Sequence, residues 1–108
     1  MNWEVRYAED ARRDLEGIYR HIAEVLRVEE TARRQVLRIM DAVDSLAAFP
    51  MRHPFYEDEP WFSRGMRRMP VDRYLVFYFT DESRHMVNVA RIMYAGRDIA
   101  AELPYGRK

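Results

Sequence analysis

The apolar residues of this chain change period twice, and that change limits the fold more than any other feature. Trp3, Val5 and Tyr7 alternate with Glu4 and Arg6, a period of two that predicts a short, half-buried strand. From about Glu9 the spacing becomes three and four. Ala11, Leu15, Ile18, Ile22 and Val25 or Leu26 form one face of a helix, with Arg12, Arg13, Glu16, Arg20 and Glu24 opposite. Arg12–Glu16 and Arg20–Glu24 are spaced for weak pairing along that helix. After a break near Arg27-Val28, Ala32, Val36, Ile39, Met40, Val43, Leu46 and Ala47 continue at helical spacing. Thr31 or the acids before it can serve that helix's start, and Pro50 ends it. Two amphipathic helices with a tight connection make a helical hairpin.

Beyond residue 64 the period returns to two. Met66–Val71, Tyr74–Thr80 and His85–Tyr94 are rich in Tyr, Phe, Val and Ile and read as strands, with turns at Asp72-Arg73 and at Asp81-Glu82-Ser83-Arg84. Pro70 cannot donate to a ladder, so its strand is expected at an edge or a bulge. A short helix over Asp98–Leu103 is predicted before Pro104. The resulting class is α+β: an N-terminal strand, an αα-hairpin, a three-stranded, largely antiparallel sheet and a short C-terminal helix, all in one domain spanning 1–108.

The chain has 108 residues, enough for a single core, and no cysteine, so neither disulfides nor thiolate metal sites are available. No apolar run reaches membrane-span length, and the opening Met1-Asn2-Trp3-Glu4 lacks a basic-then-apolar leader pattern, so the cytoplasm is the expected location. Formal net charge is zero, but unevenly spread. Residues 1–60 hold nine basic and thirteen acidic side chains, whereas residues 61–108 hold nine and five. All basic residues but Lys108 are arginine, which fits either a GC-rich coding sequence or a need for bidentate anion contacts.

Several chemistries lack their residues. Glycines at 17, 65, 96 and 106 cannot form a phosphate loop, and histidines at 21, 53 and 85 lack metal-ligand spacing, so neither cofactor nor metal is expected. No serine stands on a strand-to-helix elbow that would mark a hydrolase nucleophile. Glu57-Asp58-Glu59 reads as a solvated loop tip that could supply a base if the loop folded over the sheet. What remains is an arginine set on the strands: Arg67, Arg68, Arg73, Arg91 and Arg97, with Tyr94 at a strand end. Grouped on one face they form a basic, target-binding surface; individually, each can instead bridge to a nearby carboxylate. Trp61 and Phe62, in a proline-punctuated loop, are either partner anchors or a plug for the end of the core.

Four segments, in order, resemble the RelE/ParE superfamily of toxins from type II toxin–antitoxin systems, most closely its ParE-type branch. Tyr7-Ala8-Glu9-Asp10-Ala11-Arg12-Arg13-Asp14-Leu15-Glu16-Gly17-Ile18-Tyr19-Arg20-His21-Ile22 is similar to the family's opening strand and A-x-x-D-L-x-x-I-x-x-Y-I helix. Leu46-Ala47-Ala48-Phe49-Pro50 resembles L-x-x-x-P, and Gly65 through Tyr78 resembles G-x-R-x-L-x-V-x-x-Y-x-I-x-Y. Arg91-Ile92-Met93-Tyr94-Ala95-Gly96-Arg97-Asp98 stands where the family has R-V-L-H-G-R-R-D, with Tyr94 in place of the histidine. The resemblance implies a toxin neutralised by a cognate antitoxin encoded beside it, for which Trp61 and Phe62 are the candidate anchors. ParE-type members poison DNA gyrase without a reaction of their own; RelE-type members cleave ribosome-bound mRNA. The RelE-type lysines are missing from the strands, Leu103 stands near the place of the C-terminal tyrosine with Tyr105 close by, and only Tyr94 survives of a His-Tyr pair. The gyrase reading is therefore favoured, with Tyr94 the candidate catalytic residue if the chain is a nuclease. A non-toxic orphan binding domain is the third possibility.

Overall fold

A computed structural model of the chain describes residues 2–96, 99 and 103. Strand β1 (Glu4–Tyr7) leads into helix α1 (Glu9–Arg20), whose first turn carries Glu9 and Asp10 at the positive end of the helix dipole. The helix then widens into a π-helical turn, His21–Val25, and Arg27 at φ 59° reverses the chain. Helix α2 (Glu29–Asp44) starts with Glu29 and Glu30 in its first turn, so the acids rather than Thr31 serve that end. It tightens into a 3₁₀ turn at Ser45–Ala47. The ion pairs on the outer face of α1 run from Arg13 back to Glu9 and Asp10, on a neighbouring row to the Arg12–Glu16 spacing expected.

Strands β2 (Arg67–Val71), β3 (Tyr74–Asp81) and β4 (Met86–Tyr94) agree with the expected runs to within a residue. The sheet order is β1-β4-β3-β2. Pro70 thus sits on an edge strand, where its missing N–H costs no ladder bond. The sheet has four strands and is mixed, because β1 joins β4 in parallel with Val5 opposite Val87 and Tyr7 opposite Val89. Between β3 and β4 the register jumps: Phe77 faces Arg91, while Tyr78 faces Val89. The extra residue, Ala90, makes a bulge that turns both Val89 and Ile92 toward the helices.

The main core lies between that sheet face and the hairpin: Ala11, Ile39, Val43, Leu46, Val76, Tyr78, Val87 and Val89 are all fully buried. Burial of each large side chain contributes about 1.5–3 kcal/mol. The buried Tyr78 hydroxyl donates to the Pro50 carbonyl at 2.6 Å, so the proline that stops the second helical segment is tied to the sheet. Burial raises the Tyr78 pKa to about 12. A second cluster covers the opposite face, where Trp61, Met66, Phe77, Met93 and Leu103 pack together with Tyr56 and Ile99 beside them. Of the expected C-terminal helix only Ile99 and Leu103 are described; the Leu103 N–H donates to the Ile99 carbonyl at 3.1 Å. No helix among the described residues is long and apolar enough to cross a membrane.

Candidate functional site

The feature that organises the site is an inequality of strand length. Strand β1 pairs with β4 only as far as Val89, yet β4 continues to Tyr94. Beyond Val89 that edge faces α1 across a groove of about 730 Å³. Ile18, Ile22 and Leu26 line one side, Ile92 and Met93 the other, and Tyr74, Tyr94, Arg13, His21 and Thr31 supply polar rims. Asp14 closes part of the edge as a partner strand would: its Oδ2 accepts the Ile92 N–H at 2.8 Å. The same carboxylate accepts from Arg91 Nε at 2.8 Å and from a second Arg91 guanidinium N–H at 3.1 Å.

Arg91 is therefore not a freely offered member of a basic face. Its side chain and that of Asp14 are only 18% and 16% exposed, and the pair joins α1 to β4. Arg67 is likewise engaged. One of its terminal guanidinium N–H groups donates to the carbonyls of His53 at 2.6 Å and Met51 at 3.2 Å, and the guanidinium lies 4.1 Å over the Phe55 ring. It fastens the loop before β2, whose Phe55 also bridges to Arg67 through the backbone. Arg67 sits opposite Tyr78 and Tyr94 opposite Tyr74. Four residues along β3 separate them, about 13 Å at roughly 3.3 Å per residue. Arg67 and Tyr94 are therefore not brought together, whereas Arg68 and Arg91 both sit opposite Phe77.

Arg68 and Arg73 make no side-chain ion pair among the described residues, and Arg73 is exposed in the β2–β3 turn. The Arg73 carbonyl accepts the Ala95 N–H at 2.8 Å, which brings this turn beside the end of β4. There Tyr94, 43% exposed, meets Tyr74 edge-on with ring centroids 5.9 Å apart. Gly96 makes room for that ring, since a Cβ there would come within 2.5 Å of Tyr94 Cε2. Arg97 lies outside the described residues, as does Tyr105.

Trp61 is 2% exposed and fills the second core cluster, so it is a plug and not a surface anchor. The indole stands edge-on to Tyr56, with ring centroids 5.8 Å apart, and Tyr56 in turn meets Phe77 at 5.4 Å. Phe62, its neighbour, is 49% exposed and stands edge-on to Phe55 at 5.9 Å. The acidic loop is used locally: Asp58 accepts the Tyr56 hydroxyl, and Glu59 accepts the Ser63 N–H and hydroxyl. His85, in the left-handed region at φ 56°, stacks on Trp3 at 4.3 Å. His53 has its pKa lowered by burial and by Arg52 and Arg67, favouring neutral imidazole. Among the described residues no group of His, Asp and Glu is arranged to hold a metal.

Sequence reasoning passed over Asp14, and took Asp72 as a turn residue without its partners Arg38 and Gln35 on α2. Asp14 carried a signal: it shares the inward stripe of Ala11, Ile18 and Ile22, and a carboxylate on an apolar face requires a partner.

The chain matches the family model described as "ParE toxin of type II toxin-antitoxin system, parDE" over residues 5–99. No curated protein matches it. Among solved structures it resembles the chromosomal ParDE toxin–antitoxin system from P. aeruginosa, with 21% identity over 85% of this chain and 95% of that one, TM-score 0.70. The toxin–antitoxin complex RelBE2 from Mycobacterium tuberculosis follows at 19% identity over 87% and 99%, TM-score 0.67. The archaeal RelE–RelB complex from Pyrococcus horikoshii OT3 shows 13% identity over 90% and 99%, TM-score 0.62.

Proposed function

The chain belongs to the ParE toxin family of type II toxin–antitoxin systems, and from that premise we propose that it arrests growth by binding DNA gyrase and is neutralised by a cognate antitoxin. The carrying observation is how its cations are placed. Arg67 and Arg91 are engaged within the fold, while the exposed Arg73 stands with Tyr94 at the end of the sheet. A nuclease needs a base, an acid and a phosphate ligand converging on one scissile bond. Here Asp58 and Glu59 are bonded locally, and Arg67 lies far along the sheet from Tyr94. A contact surface of Arg73 and Tyr94 serves binding without that convergence. Ribosome-dependent mRNA cleavage through Tyr94 is the competing reading.

The groove beside the β4 edge is the natural seat for the antitoxin: it joins apolar walls to a polar rim that includes Tyr94, so filling it covers the proposed target surface. Phe62 gives the same partner a second anchor. Both proposed partners place the protein in the cytoplasm. The test is induction of the chain alone and with the neighbouring reading frame. Arrest relieved by that neighbour supports toxin and antitoxin together; growth without arrest would leave an orphan binding domain.

A further inference from the structure

We propose that Asp72 is a positioning residue: bolted to α2, it fixes the β2–β3 turn so that Arg73 is held beside Tyr94 for target contact. The inference rests on the reading of Arg73 and Tyr94 as target-binding residues and adds how the fold holds them.

Asp72 is the first residue of a two-residue turn between Val71 and Tyr74 and has φ 57°. Its carboxylate accepts three hydrogen bonds from α2: Arg38 Nε at 2.8 Å, a second Arg38 guanidinium N–H at 2.7 Å, and Gln35 Nε2 at 2.9 Å. Those partners lie 34 and 37 residues earlier in the chain. For turn formation alone this is more than needed, because glycine adopts a positive φ without steric cost. Stability is also a weak explanation, since the Arg38 side chain is 66% exposed and such bridges contribute little. What the bidentate fork supplies is a fixed orientation. Its effect falls on the next residue, Arg73, whose carbonyl is in turn held by Ala95 next to Tyr94. Tyr94 is fixed as well, against Tyr74 and over the bare Cα of Gly96. The exposed arginine and the exposed tyrosine are thus both set from behind, by groups that need not touch the target.

A double-mutant cycle on the full chain tests this. Asp72→Gly keeps the turn and removes the carboxylate, Arg73→Ala removes the contact, and the double variant combines them. The readouts are melting temperature and the inducer dose that halts growth, with binding to purified gyrase measured alongside. Arg73→Ala should weaken the effect about tenfold or more, the loss of one charge-assisted contact. Asp72→Gly should weaken it about tenfold with a melting temperature close to wild type, because the freed turn must be re-ordered on binding. The double variant should be no weaker than Arg73→Ala alone. Asp72→Asn, which keeps an acceptor, should recover part of the loss. Wild-type potency in Asp72→Gly overturns the inference, as do losses that multiply in the double variant. A wild-type chain that arrests growth without binding gyrase counts against gyrase as the target, while the dose cycle still decides the role of Asp72.

Discussion

Arg91 and Asp14, 77 residues apart in sequence, meet through two charge-assisted hydrogen bonds at 2.8 and 3.1 Å, and the same carboxylate takes the Ile92 N–H at 2.8 Å. One side chain thus joins α1 to β4 and satisfies a strand edge that β1 is too short to cover. Removing Asp14 takes two hydrogen bonds from Arg91 and one from the Ile92 N–H. Asp14→Ala is expected to cost about 1–3 kcal/mol, and Asp14→Asn less, because its amide oxygen can still accept from Ile92. Urea unfolding would show the loss as a lower midpoint with unchanged slope. A cost below about 1 kcal/mol would mean that the pair behaves as an exposed bridge.

Trp61 and Phe62 are adjacent in sequence and opposite in role. Trp61→Ala should cost about 3–5 kcal/mol through the cavity it opens beneath Tyr56 and Phe77. Trp61→Phe should be far milder, since the indole N–H has no hydrogen-bond partner among the described residues. Phe62→Ala should shift the melting temperature by no more than about 4 °C while weakening antitoxin binding by about 2 kcal/mol. Thermal melts and a binding titration on the same three variants decide it; a large melting shift for Phe62→Ala would return that residue to the core.

The Asp72 clamp also leaves a pH signature. Hydrogen bonds from Arg38 and then Gln35 hold its pKa down to about 2, from an ordinary value of 3.8. A depressed folded-state pKa contributes stability that is fully present above the unfolded value and lost as pH falls through the folded one. Because Arg38 is exposed that contribution is small, so the shift is read directly: followed by NMR, the Asp72 carboxyl should titrate at about 2 in wild type and closer to 3.8 in Arg38→Ala. A wild-type carboxyl titrating at the ordinary value would show that the clamp does not hold in solution.

Much of the fold was readable because its signals are local. Alternation in Trp3, Val5 and Tyr7, helical spacing from Ala11 to Ala47, and the turn at Asp72-Arg73 each depend on neighbours a few residues away. The edge position of β2 followed from Pro70, which cannot donate to a ladder. Long-range relationships were not readable. Period two in β1 does not say that it joins β4 in parallel, and nothing near Arg91 announces a partner on the first helix. The loop aromatics were ambiguous for the same reason: Trp61 and Phe62 look alike in sequence, and only the position of Phe77 across the sheet separates the buried ring from the exposed one. Register is equally long-range: β3 places Arg67 and Tyr94 four residues apart but sets Arg68 and Arg91 on either side of Phe77.

The most direct test of the account is the target itself. The purified toxin should inhibit supercoiling by gyrase in a reaction containing only enzyme, DNA and ATP, and Arg73→Ala should weaken that inhibition about tenfold. Ribosome-bound mRNA incubated with the same preparation should remain intact. Cleavage of that mRNA, abolished by Tyr94→Phe and accompanied by unimpaired supercoiling, would contradict the account.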